Sequence, residues 1–271
     1  MTRHMPDTTI TSADGTTLAA RRSGRGSPLV LVHGAIGDLD TFALIEGLLA
    51  ERHSVWVYSR RGRGGSGDGP DYSLQREVED VLAVVAAAGH GVHLVGHSGG
   101  AAYCLFAATQ APSLRSLVLY EPPLALEAFD TTLIDAVQAA LDDGDPDRAL
   151  DTLFPAVGIV EHEQAALRSL EPVWARIRES VRPSPRELRA GLDEGVDQLT
   201  AFDPPNVPTL YLYGEETDAP SFRAPGEVAE LFPKAQLRGL AGQRHLAFAF
   251  DPSSFAEAIL AFTTAHDRRA S

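Results

Sequence analysis

The chain has 271 residues, with 37 acidic side chains against 23 basic ones and a formal charge of −14. That length predicts one or two domains, and 44% hydrophobic residues with 22% charged suffice to bury a large core. The acid excess argues against a nucleic-acid partner or an anionic membrane surface, since both need a basic footprint; a small-molecule substrate is compatible with it. Cys104 is the sole cysteine, which removes an intramolecular disulfide and a cysteine-based metal cluster. The stretch from Met1 to Ile10 has no apolar signal-peptide core, and no apolar run approaches the roughly 18 residues of a membrane span. The expectation is a soluble, cytoplasmic protein; a homo-oligomer stays open.

In chain order, Thr8–Thr11 and Thr17–Arg21 predict a hairpin around the Asp14-Gly15 turn signal. Pro28–Val32 is a continuous apolar run, as in a strand buried on both faces. Leu39 to Arg52 is amphipathic, with Phe42, Ile45, Leu48 and Leu49 on one helical face. Ser54–Tyr58 is the next strand and runs into a glycine-rich loop from Arg60 to Gly67. That loop lacks the Lys-Ser/Thr pair of a phosphate-binding loop. A helix over Leu74–Ala88 ends at Gly89, followed by a strand over Val92–Val95, a helix over Gly99–Gln110 and a strand over Leu117–Tyr120. Such alternation predicts βαβ crossovers and a mostly parallel sheet.

From Pro122 to Asp203 the pattern becomes helical, with candidate helices over 131–141, 147–153, 161–178 and 185–199. Strand–helix alternation then resumes: strand Thr209–Tyr213, helix Pro225–Leu231, strand Gln236–Leu240, helix Ser254–His266. The expected organisation is a core of residues 1–121 and 204–271 with an all-helical cap of residues 122–203 inserted into it.

The chemistry concentrates at Gly96-His97-Ser98-Gly99-Gly100, a G-x-S-x-G pentapeptide that follows a strand and opens a helix. A serine on that turn holds its Oγ above the sheet edge in a strained backbone. An oxyanion needs two converging amide donors. The amide of Gly99, just after the serine, and that of Ala35, just after His33-Gly34, stand where such donors are required. A general base must also come from this edge of the sheet. Of nine histidines, His245 is the one in a post-strand loop downstream of Ser98. His33 is expected to hydrogen-bond the loop backbone instead, and His97 to point elsewhere. The apolar cap residues, among them Phe129, Val157, Ile159, Trp174 and Ile177, suggest an apolar acyl or alkyl site beneath the cap.

With these residues in place, the chain resembles the α/β-hydrolase superfamily over essentially its whole length. The resemblance rests on His33-Gly34, the loop Arg61-Gly62-Arg63-Gly64-Gly65-Ser66, the elbow at Ser98, and His245. Members that open epoxides or remove halide carry Asp where Ser98 stands, so the resemblance points away from both. An Asp usually precedes the arginine–glycine loop; here the residue is Ser59. The resemblance also implies a carboxylate that orients His245. In most members it is an Asp three residues beyond a Gly after the strand written here as Thr209–Tyr213. That place holds Thr217, with Asp218 one residue late and Glu216 one early. A minority use the end of the strand after the nucleophile helix, here Glu121. Glu121 is preferred and Asp218 is the alternative.

The resulting expectation is a serine hydrolase of carboxylic esters, lactones or thioesters that needs no cofactor or metal. Rival readings are acyl transfer, C–C hydrolysis or a lyase step by the same residues, and a ligand-binding protein without turnover.

Overall fold

The architecture follows from the strand patterning. The computed structural model describes residues 7–69, 71–111, 113–195 and 204–267. Eight strands form one sheet in the order β1-β2-β4-β3-β5-β6-β7-β8. They are β1 (Thr8–Thr11), β2 (Thr17–Gly24), β3 (Ser27–Val32), β4 (His53–Tyr58), β5 (Val92–His97), β6 (Leu114–Tyr120), β7 (Thr209–Gly214) and β8 (Gln236–Leu240). The antiparallel pairs are β1–β2 and β2–β4, so β2 alone runs against the other strands. The central strands β3 and β5 are mostly apolar and largely buried because helices cover both faces. The turn between β1 and β2 is built as its sequence predicts: Gly15 takes φ 87°, and the Thr16 amide donates to Asp14 Oδ1 at 2.9 Å.

Helices α1 (Ala43–Ala50), α2 (Leu74–Ala88) and α3 (Gly99–Gln110) fill the first half. Helix α1 starts four residues later than its periodicity predicts. Thr41 Oγ1 takes the Asp38 amide and Asp38 Oδ1 takes the Asp40 amide, so the chain is held in a side-chain-capped turn first. Between β6 and β7 lies the helical insert, with α4 (Thr131–Asp142), α5 (Pro146–Leu153), α6 (Glu161–Ser169), α7 (Glu171–Ser180) and α8 (Ser184–Ala190). The single helix expected over 161–178 is two, broken at Leu170. Pro172 lacks an N–H and its ring would strike the carbonyl four residues back, so it is accommodated only in the first turn of a new helix. The expected end of the insert and of its last helix, at 196–203, lies outside the described residues. Helices α9 (Pro225–Leu231), α10 (Ala247–Phe250) and α11 (Pro252–Asp267) complete the chain, α10 being unforeseen. Among the described residues no helix is long and apolar enough to cross a membrane.

At the N-terminal edge of the parallel strands, His53, His93 and Asp267 bring one potential ligand atom each to within 4.8 Å of one another. Their polar atoms are already engaged. His53 meets Ser27 and Thr263, both at 2.9 Å, His93 meets Ser116 at 2.7 Å, and Arg115 pairs with Asp267. The trio therefore fastens α11 to the sheet. Burial pushes the His93 imidazole down to about 4 and lowers those of His33, His53 and His97 as well. The unfolded chain thus binds more protons than the fold between about pH 6.5 and 4, so stability is highest above that window and falls with pH through it. Thermal unfolding followed from pH 7.5 to 4.5 should show a falling midpoint; a midpoint flat across that range would contradict the burial of these rings as neutral groups.

Candidate active site

The residues of the elbow are dictated by space. A Cβ on Gly96 would sit 2.5 Å from the Ala101 Cα, and one on Gly100 2.4 Å from the His33 carbonyl oxygen. Ser98 between them takes φ 54°, ψ −129°, a region that essentially only glycine occupies without strain. Its amide donates to the Tyr120 carbonyl at 2.9 Å, which pins the turn to β6. Ser98 is buried at the floor of a cavity that His245 also lines.

The two expected amide donors flank this serine. Gly99 opens α3, so its N–H belongs to the first turn, which has no intrahelical acceptor. The N–H of Ala35 is oriented by the other end of its peptide. The Gly34 carbonyl accepts from His33 Nδ1 at 2.8 Å and from Arg60 Nη1 at 3.2 Å. In a trans peptide the N–H points the opposite way. His33 Nε2 accepts from the Arg60 amide at 3.0 Å, so this ring is neutral with its proton on Nδ1, as its lowered pKa requires. The expected backbone role of His33 is thus the one its contacts describe. Ser59, where the superfamily has Asp, still ties the loop: its Oγ accepts from the Leu39 amide and donates to the Gly64 carbonyl.

Of the three carboxylates weighed for His245, Glu121 is the one brought to it. Glu121 Oε2 accepts from His245 Nδ1 at 2.7 Å and Oε1 from the Gly214 amide at 2.7 Å. Both residues are buried. Asp218 and Glu216 are exposed on the loop after β7, and Glu216 faces Arg244 at 3.7 Å. Glu121 carries φ 46°; it and Ser98 are the two non-glycine residues with positive φ among those described. With Nδ1 committed to Glu121, Nε2 is the nitrogen left for proton transfer. The loop bearing His245 is fastened twice more, by Tyr120 donating to the Arg244 carbonyl and by His97 Nε2 donating to the His245 carbonyl at 3.0 Å. His97 does not point elsewhere, as expected from sequence, but packs its ring 4.5 Å from that of His245.

Residues 29–258 match the alpha/beta hydrolase family. The chain belongs to that family. A pimeloyl-acyl-carrier-protein methyl ester esterase of Xanthomonas oryzae pv. oryzae is 30% identical over 88% of this chain and 96% of that protein. An N-formylmaleamate deformylase of Pseudomonas putida is 38% identical, but the match spans only 39% of this chain and 41% of that protein. A solved alpha/beta hydrolase of Sphaerobacter thermophilus superposes with a TM-score of 0.80 at 30% identity, covering 94% of this chain and 99% of that one.

What sequence reasoning missed in this hydrolase is a buried charge cluster under the Ala35 loop. Arg63 donates to the carbonyls of Ala35 and of Ser180 in α7, both at 3.0 Å, and ion-pairs with Glu187 in α8. Arg60 grips Glu77 at 2.7 Å and reaches Glu187 at 3.1 Å. Two cations and two anions balance there, all buried. Burial would raise the Glu187 carboxyl, but Arg60 and Arg63 outweigh it and hold the group below its ordinary range. Three arginines in one glycine-rich loop were the available signal.

Two stability measurements test this reading of the site. Ser98→Gly should raise the unfolding free energy by about 1 kcal/mol, because relief of backbone strain exceeds the entropy cost of glycine. Glu187→Gln leaves the buried Arg63 without its counter-charge and should cost about 3–5 kcal/mol in denaturant titration. A loss below about 1 kcal/mol would show that the cluster does not bind insert to core.

Proposed function

We propose that this hydrolase cleaves carboxylic esters, thioesters or lactones of small, largely apolar substrates through an acyl-enzyme. The observation that carries the reading is the 2.7 Å bond from His245 Nδ1 to Glu121, with His245 and the strained Ser98 on one cavity. Ser98 Oγ attacks the carbonyl carbon while His245 Nε2 takes its proton. Glu121 holds the ring in the required tautomer and offsets the charge of the imidazolium. The Ala35 and Gly99 amides receive the developing oxyanion. His245 then protonates the leaving oxygen, and later activates a water that releases the acid. The esterase relative, which this chain matches nearly end to end, supports ester chemistry. The cavity floored by Ser98 has a volume of about 440 Å³ and a mainly apolar wall, to which the insert contributes Val157, Ile159 and Ile177. Trp174 packs against Phe154 with ring centroids 6.2 Å apart and belongs to the interior of the insert.

Fluorophosphonate labelling followed by peptide mapping should mark Ser98. Ser98→Ala and His245→Ala should each lower kcat on a p-nitrophenyl ester by about 10³-fold or more, and the double variant should be little worse than the worse single. Glu121→Gln should cost on the order of 10²- to 10⁴-fold, whereas Asp218→Asn should stay within about twofold. Wild-type turnover by Ser98→Ala would sink the serine mechanism; a large loss at Asp218 with none at Glu121 would overturn the choice of acid.

A further inference from the structure

Two apolar cavities meet at Ser98, and they are unequal. Ser98 and Ala35 border both; the larger is about 440 Å³ and the smaller about 70 Å³. His245 lines only the larger, whereas Gly99 lines only the smaller. The smaller is lined by Tyr103, Phe106, Leu126 and Phe129.

This asymmetry assigns the two halves of a substrate. In the tetrahedral intermediate the reacting carbon carries Ser98 Oγ, the oxyanion, the leaving oxygen and the acyl carbon. The oxyanion faces the Ala35 and Gly99 amides. The leaving oxygen must come within about 2.6–3.2 Å of His245 Nε2, because that nitrogen supplies the proton as the C–O bond breaks. The alcohol portion therefore extends into the cavity that His245 lines, and the acyl chain takes the remaining direction, into the small one. We infer that the enzyme is a short-acyl esterase that accepts bulky apolar alcohols, the acyl length being limited by the pocket behind Gly99. At one water-sized group per roughly 10–15 Å³, the small cavity holds about five such groups. That sets the acyl limit at about four or five carbons, since a methylene is larger than a water. The larger cavity has room for an aromatic or medium-chain alcohol. Overall the ester and one water give the short acid and the alcohol: water replaces Ser98 on the acyl carbon, and its proton returns through His245 to the serine oxygen.

The inference rests on the serine-hydrolase reading, and the experiment separates the two. One series varies the acyl chain from acetyl to decanoyl with p-nitrophenol as the constant leaving group. The other varies the alcohol among acetates of ethanol, hexanol and 2-naphthylethanol, whose leaving-group basicities are similar. We expect kcat/KM to fall at least tenfold between butanoyl and octanoyl, and to hold or rise from ethyl to naphthylethyl acetate. Leu126→Ala, which opens the small cavity, should raise the octanoyl-to-acetyl ratio by about tenfold. Ala166→Phe, in α6 on the wall of the large cavity, should depress the naphthylethyl ester and leave the acyl-length profile unchanged. Octanoyl or decanoyl esters turned over as well as acetyl, with small alcohols preferred, would overturn the assignment while the serine reading stands. No turnover in either series, with Ser98 unlabelled by a fluorophosphonate, would overturn the serine reading and the assignment with it.

Discussion

The site depends on two adjacent parallel strands ending in register. His97 of β5 pairs with Tyr120 of β6, so Ser98 and Glu121 are the first residues past the paired ends. Both leave the ladder by turning to positive φ. Such a turn swings the chain off the sheet edge at once instead of extending it, which keeps each side chain at the edge. The backbone across the two strands absorbs the cost: the Ser98 amide bonds to the Tyr120 carbonyl, and the Glu121 amide to the Leu212 carbonyl of β7. The strain is held by hydrogen bonds from the next strand, each of them buried in a sheet that cannot open locally.

That register also explains why the carboxylate is a glutamate. Neighbouring strands are about 4.8 Å apart, so β6 lies one spacing from the strand that ends at Ser98 and β7 two. The loop after β8 carries His245 back over these strand ends, where its ring packs 4.5 Å from that of His97. From the end of β6 the extra methylene of Glu121 lets one oxygen take the His245 Nδ1–H while the other accepts from the Gly214 amide at the end of β7. With this bond made, the loop after β7 has no acid to deliver. Thr217 stands where the superfamily usually has Asp, and Asp218 is exposed.

Much of this was legible because it is local. Strand runs, the glycines of the elbow, and the hairpin turn each announce themselves within a few residues, and the order of elements then fixes which loops share the sheet edge. What was not legible is what depends on distance or on a proline's exact place in a turn. Periodicity alone merged α6 and α7, although Pro172 separates them. The turn at Asp38–Thr41 displaced the start of α1 through side-chain hydrogen bonds that hydrophobic spacing cannot show. The positive φ of Glu121 had no glycine to signal it. Local preference fails there because the bonds Glu121 makes to the Gly214 amide, His245 and the Leu212 carbonyl override it.

The charge cluster is the extreme case, since Arg63 and Glu187 are 124 residues apart and only the fold joins them. Its consequence is mechanical. Arg63 holds the Ala35 carbonyl, the Ser180 carbonyl and Glu187 together, so lifting α7 and α8 as one body would strand a buried guanidinium and release the Ala35 loop. The contact between Arg176 of α7 and Asp38, 3.3 Å at the wall of the large cavity, is a second tie between insert and core and is more exposed than the cluster. Stiffness is thus unevenly distributed around Ser98. The attachment of the insert is most deeply buried where it meets the Ala35 loop and more open to solvent along the wall of the large cavity.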